Sequence, residues 1–403
     1  MTLAAHALGQ GRYAEAGRMV AAAIERAGLD QREVCRRLGL SPAALSRVCS
    51  GTLRPTPENI SRLARLLGIN ESALFVAFGL LPEPDPSGEA LALRYPGERF
   101  IAPACGGPLP FARVWGPGLL TTADVRVERD PAPYALPAAI VRTVDQLTLP
   151  PGPKYNRSKA RLASLRATAH GLTFRFQRTT YLNHLLTNHQ VEAGARVHLD
   201  GSWQAVADLL EPGGGALAPL ERALCSNHLG LNVLLVDRSG HALFAQRSTA
   251  ATSYLPGIQF GLPAAGSMDW TDLDPFTGAL REMDEELGLT DSELAPPGIT
   301  LMGVARNVAR GGKPEAFFLA CVLPSVETLN ARLAAPASTA ALPATTPLPP
   351  QSREVVRLYP VPDTEAALSD HIESPHLDIT PETRAALALY LSVRDAFTRR
   401  RRR

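Results

Sequence analysis

The segment from Asp30 to Gly51 constrains this chain most, because it packs two short helices with apolar faces around a single interrupting glycine. Asp30-Gln31-Arg32-Glu33 opens a helix whose inward face is Val34 and Leu38. Gly39 breaks that helix, and Ser41-Pro42 restarts it with a capping hydroxyl followed by proline at the first helical position. In the second helix Ala44, Leu45 and Val48 fall on one face and pack inward, leaving Pro42, Ala43, Ser46 and Arg47 outward. Gly51 closes it, Arg54-Pro55 makes a basic loop, and Thr56-Pro57 starts a further helix striped by Ile60, Leu63 and Leu67. Helices this short bury their stripes only against one another, so the spacing predicts a compact all-α unit of five helices over residues 1–80.

That unit accounts for a fifth of a 403-residue chain, which is long enough for two or three domains. With no basic-plus-apolar leader and no run of eighteen apolar residues, the reading is a cytoplasmic protein without a membrane partner. Five scattered cysteines, Cys35, Cys49, Cys105, Cys225 and Cys321, form no metal-ligand spacing and are read as buried free thiols. A net charge of +2 excludes a uniformly basic nucleic-acid binder, so any DNA affinity has to come from a local cluster such as Arg36, Arg37, Arg47, Arg54, Arg62 and Arg65.

Beyond the first helices the texture changes. Pro- and Gly-rich stretches at Leu81–Gly88 and Pro103–Pro110 define a linker over 81–110, and from Gly171 onward short apolar runs read as strands: Leu172–Phe176, Asn232–Val236, Ala316–Leu323 and Glu354–Tyr359. Residues 111–225 are expected to form an α+β extension of unassigned role, 226–398 an α/β domain with a mobile insertion at 334–351, and 399–403 a solvated arginine tail. The whole is a multidomain chain.

The stretch from Asp30, DQREVCRRLGLSPAALSRVCSGTLRPTPENISRLARLLGI, resembles the Cro/lambda-repressor (XRE) class of helix-turn-helix domains. The resemblance implies that Gln31 and Ser41 meet phosphates, that Pro42, Ala43, Ser46 and Arg47 lie in the major groove of double-stranded DNA, and that Arg54 approaches its backbone. Of these only Arg47 is a strong base reader, since arginine can bond guanine through two hydrogen bonds. Two half-sites about 34–36 Å apart are the usual target, so a homodimer is expected. A helical bundle used only for protein contacts is the alternative.

A second feature lies near Gly278. In GALREMDEELGL, Phe276, Leu280, Met283 and Leu287 mark a buried helical stripe, and Glu282, Glu285 and Glu286 share another face. Like charges at i,i+4 cost roughly 0.2–0.5 kcal/mol, and a hard divalent ion, Mg²⁺ or Mn²⁺ in its place, would offset the repulsion and bridge to a diphosphate. The run Arg281 to Leu289 matches the second half of the Nudix box, so the C-terminal domain resembles Nudix hydrolases, an α/β/α sandwich. The resemblance implies Glu285 and Glu286 as metal ligands, Glu282 as a ligand or water-activating carboxylate, and Arg281 as their orienting partner. The first half of the box departs: the pattern's glycine and glutamate fall on Ser267 and Leu273, with Gly266 and Asp272 as the nearest substitutes. The hairpin Leu231–Val236, Asp237-Arg238-Ser239-Gly240, Ala242–Gln246 precedes it.

The middle of the chain offers cations, Lys154, Arg157, Lys159, Arg161, Arg166, Arg175 and Arg178, and Tyr181, which serve either a phosphorylated ligand or a solvated face; His184, His189 and His228 define no metal triad. The leading reading is a DNA-binding transcriptional regulator whose Nudix-like domain binds a nucleoside diphosphate-linked metabolite, with Mg²⁺-dependent hydrolysis retained. The alternatives are an active Nudix hydrolase (a pyrophosphohydrolase) tethered or autoregulated by its helix-turn-helix, and a toxin–antitoxin or phage-defence component.

Overall fold

The computed structural model describes residues 13–67, 74, 77–78, 88–103, 107–147, 149, 156–168, 171–211, 215–247, 260–334, 355–373 and 379–401. The chain divides into two compact units, 1–84 and 85–403.

The first unit is helical: α1 (Ala14–Arg26), α2 (Gln31–Leu38), α3 (Pro42–Cys49) and α4 (Pro57–Leu67). Of the fifth expected helix only Leu74, Ala77 and Phe78 are described, and Leu74 and Phe78 are fully buried. Caps set the boundaries. The Asp30 carboxylate accepts from Glu33 N at 2.7 Å, Gly39 ends α2 in the left-handed region at φ +67°, and Ser41 Oγ accepts from Ala44 N at 3.1 Å. Val20, Val34, Leu45, Ile60 and Leu63 form a core without exposed surface. The close approach of α1 to the end of α3 requires glycine twice: a Cβ at Gly17 would stand 2.5 Å from Cys49 O, and one at Gly51 would stand 2.5 Å from the Tyr13 carbonyl carbon.

The second unit is built on β1 (Phe111–Trp115), β2 (Val125–Arg129), β3 (Ser158–Thr168), β4 (Gly171–Thr180), β5 (Arg196–Leu199), β6 (Ser202–Ala205), β7 (Gly230–Val236), β8 (His241–Arg247), β9 (Phe260–Gly261), β10 (Ala264–Ser267), β11 (Thr300–Asn307), β12 (Lys313–Cys321) and β13 (Val355–Pro362). Eight of these form one mixed sheet in the order β1-β11-β12-β7-β8-β13, with β10 added to β7 and β9 to β8. The β12–β7 pair is parallel, and the other pairs of this sheet are antiparallel. β7 is buried on both sides. Leu231, Val233 and Leu235 pack with Phe276, Met283 and Leu287 of the helix Pro275–Leu287, whereas Leu234 and Val236 pack with Leu387, Tyr390 and Phe397 of the helix Pro381–Arg401. Helices therefore cover both faces, as the near-continuous apolar character of β7 and β12 requires.

Three boundaries differ from the sequence reading. The segment 81–110 is not all linker: Gly88–Arg94 is helical, and Leu91 and Tyr95 are buried with Ala112 and Leu217, so the apolar residues after Gly88 join the second unit. Residues 111–225 do not stand apart from 226–398, since β1 is the edge strand of the main sheet and β3 is bonded into its open end, with Leu229 N donating to Ala160 O at 2.9 Å and Ala160 N to Met268 O at 3.0 Å. The arginine tail begins inside a helix that runs to Arg401, where cations suit the helix C-terminus and Arg400 Nη1 donates to Leu119 O at 2.9 Å. The expected insertion at 334–351 lies outside the described residues, except Ala334, which ends a helix. Cys35, Cys49 and Cys225 are free and buried, and Cys321 is buried; Cys105 lies outside the described residues. Among the described residues no helix is long and apolar enough to cross a membrane.

Candidate functional site

In the helical unit the capping of α3 by Ser41 turns one face of the helix outward. Ser41, Pro42, Ala43, Ser46 and Arg47 are exposed, Leu45 and Val48 are buried beneath them, and Gln31 is exposed at the start of α2. Arg54 is half-buried, with its guanidinium 5.9 Å from the centre of the Tyr13 ring. Not every arginine of the cluster is equally available. Arg36 and Arg37 both donate to Glu33, at 2.6 Å each, and hold its carboxyl down at about 2, while Arg62 donates to Arg37 O at 3.3 Å. The side chain of Arg65 lies outside the described residues.

The second constellation sits where β10 leads into the helix Pro275–Leu287. That helix starts from Asp274, whose carboxylate accepts from Thr277 N at 2.8 Å, with proline next, and it ends at left-handed Gly288. Arg281 is gripped from two sides. Its Nε and Nη2 donate to the two oxygens of Asp272, both at 3.0 Å, its Nη1 donates to Glu282 Oε1 at 2.9 Å, and its Nη2 also reaches Ser267 O at 3.1 Å. Paired donors of this kind fix a guanidinium in one plane. Glu285 lies 3.4 Å from Arg281 and is half-exposed; Glu286 is half-buried.

Glu282 departs from the picture of a carboxylate on an outward face. It is 7% exposed and lies over Gly266, where an added Cβ would come within 2.2 Å of its carboxylate, and Oε1 also accepts from Ser267 N at 3.2 Å. Burial pushes its carboxyl above the ordinary range, and Arg281 pulls it back. Carboxylate oxygens suit a hard divalent ion chemically. In this arrangement, however, Glu282 is committed to Arg281 and Ser267, and among the described residues no three His, Cys, Asp or Glu side chains converge to hold a metal ion. Glu282, Glu285 and Glu286 as placed do not fit a shared ion.

Asp272 rather than Leu273 meets Arg281, because Leu273, at the pattern's glutamate position, is 75% exposed and points to solvent. The loop between β10 and the helix is held from a distance: Arg129 of β2 stacks on Trp270 at 4.6 Å and donates to the carbonyls of Trp270 and Asp272, and Lys159 of β3 pairs with Asp269 at 2.5 Å. Nothing local in the sequence signals Arg129, which acts across more than a hundred residues. Of the basic residues in the middle of the chain, Arg161 is buried and spends its donors on Gln177 and on the carbonyls of Leu220, Ala223 and Cys225, which makes it a clamp on that loop.

A family model described as a helix-turn-helix matches residues 20–74, so this part of the chain is a helix-turn-helix region. No curated protein matches the chain. Among solved structures the chain is similar to a mutT/nudix family protein from Listeria innocua (18% identity, TM-score 0.29, covering 43% of this chain and 97% of that one). It is also similar to a Nudix hydrolase from M. smegmatis (16% identity, TM-score 0.26, 43% and 88%) and to the ORF135 protein of E. coli (21% identity, TM-score 0.24, 42% and 94%). The chain is thus a multidomain protein in which a helical helix-turn-helix region precedes a mixed α/β unit.

Proposed function

We propose that the protein is a transcriptional regulator: α3 reads double-stranded DNA as part of a homodimer, and the α/β unit binds a nucleoside diphosphate-linked metabolite that alters DNA affinity. The observation that carries the reading is the exposed, well-capped face of α3, with Arg47 in its last turn, inside the matched helix-turn-helix. In the α/β unit the ligand is proposed to bind near the plane-locked Arg281. Coupling requires the ligand to discriminate between DNA-competent and DNA-incompetent states.

The reading is tested by selecting a binding sequence from random duplex DNA with the full chain and then measuring Arg47→Ala on the selected site. A loss of about tenfold or more, from one guanine-reading pair at roughly 1–3 kcal/mol, is expected. Equal binding by the variant would remove α3 as the reader. ADP-ribose, NAD, dinucleoside polyphosphates and nucleoside triphosphates are then titrated into the complex, where one of them is expected to shift the DNA affinity. Release of phosphate-containing products with Mg²⁺, lost in Glu286→Gln, would instead favour the hydrolase reading.

A further inference from the structure

β3 enters the open end of the main sheet beside the box, and its crossing brings together side chains far apart in sequence. Asn227, His228 and His184 of the helix Tyr181–Leu186 are all buried, at 0%, 2% and 6% exposure, and the two imidazole rings lie 4.3 Å apart. Among the described residues the Nδ1 atoms of both histidines and Nδ2 of Asn227 have no hydrogen-bond partner. The Asn227 amide cannot be turned round to cure this. Asn188 donates to its Oδ1 at 2.9 Å and to Arg310 O at 2.8 Å, which fixes both amides. Asn227 also holds a left-handed backbone at φ +44°, uncommon outside glycine. Unmade buried donors are costly and few in native proteins.

The chemistry of these groups points to an anion. Ser267 Oγ lies 3.0 Å from His228 Nε2; with the hydroxyl donating there, the one proton of a neutral ring sits on Nδ1, a donor facing no acceptor. Burial, then His184, Lys313, Lys159 and Arg310, push the His228 ring well below its ordinary pKa and so keep it uncharged. Neutral donors disfavour a metal ion and favour an acceptor such as a phosphate oxygen, while the neighbouring Lys159, Lys313 and Arg310 are paired with Asp269, Glu315 and Glu192. Tyr181 is half-buried, with its ring 6.3 Å from that of His228. Ser267 joins the junction to the box, because its N–H donates to Glu282.

We infer that the junction of His184, Asn227, His228 and Ser267 is an anion-binding site for a phosphate or diphosphate group. This deepens the ligand-sensing proposal and rests on it only for the nucleotide origin of that group. The test is calorimetric titration of inorganic pyrophosphate into the full chain without Mg²⁺, for wild type, His228→Phe and Ser267→Ala. Wild type is expected to bind, His228→Phe to bind about 10- to 100-fold more weakly, as for the loss of one bond to a charged group, and Ser267→Ala several-fold more weakly. Should His228→Phe fail to fold by circular dichroism, Ser267→Ala and the ring-nitrogen shifts of ¹⁵N-histidine-labelled wild type under pyrophosphate carry the test. No binding, equal binding by the variants, or unmoved ring nitrogens would overturn the site. Parallel titration of the nucleotides separates the two proposals. Nucleotide binding indifferent to His228 sinks this site and leaves sensing intact, whereas pyrophosphate held through His228 with no nucleotide bound keeps the site and sinks nucleotide sensing.

Discussion

A methyl group added at Gly266 would lie 2.2 Å from the Glu282 carboxylate, which is itself pinned by Arg281 and by the Ser267 N–H. The carboxylate cannot swing aside without giving up both bonds, so Gly266→Ala couples a steric clash to the loss of a buried charged contact. A destabilisation of about 1–3 kcal/mol is expected for the α/β unit, read as a lower urea midpoint at unchanged slope; an unaltered midpoint would mean that Glu282 is free to leave. Sequence reading reached part of this arrangement. Gly266 and Asp272 stand out as substitutes for a missing pattern, and they are the two residues that receive Glu282 and Arg281. What one-dimensional spacing does not give is the direction of each side chain. Asp272 stands one residue further from Arg281 than the pattern's glutamate would, and the loop absorbs the difference by turning Leu273 to solvent and Asp272 inward.

Elements whose boundaries depend on adjacent residues are legible for the same reason that they are stable. α3 begins where Ser41 supplies an oxygen to Ala44 N and Pro42 has no N–H to leave unmade, and both signals lie within four residues. Ser41→Ala should therefore cost the helical unit about 1 kcal/mol and fray the start of the proposed reading helix, weakening DNA binding by more than stability alone requires. Hydrogen exchange at Ala44 and Leu45 checks this, and protection equal to wild type would show that packing, not the cap, holds the helix start. β3 is the opposite case. Only its cations, Lys159, Arg161 and Arg166, stand out in the sequence, and the strand's bonds to Asn227, Leu229 and Met268 join residues tens to more than a hundred positions apart. No local pattern encodes them, and a segment that is part of the α/β unit therefore reads as an extension of it.

At the scale of the whole chain, the two compact units hold different stabilising chemistry, and acid should separate them. In the second unit the short helix Asn188–Glu192 is tied to the sheet by Arg310, which pairs with Glu192 at 2.8 Å and with Glu382, of the last helix, at 3.6 Å. Burial alone would raise the Glu192 carboxyl, but Arg310 and His189 overcome it and bring the group down to about 2 from 4.5. A carboxyl depressed in this way contributes stability that is fully present above its unfolded value and disappears as pH falls from about 4.5 through about 2. The gap corresponds to something on the order of 3 kcal/mol, more than half of it gone at pH 3. In the helical unit the corresponding carboxyl, Glu33, pairs with the exposed Arg36 and Arg37, where ion pairs contribute little. Urea unfolding between pH 6 and pH 3, followed separately by exchange protection in the two units, should therefore show the α/β unit losing ground faster. In Glu192→Gln it should start less stable at pH 6 and lose less on acidification. A parallel pH slope in wild type and variant would show that the joint around Arg310 is not what acid breaks.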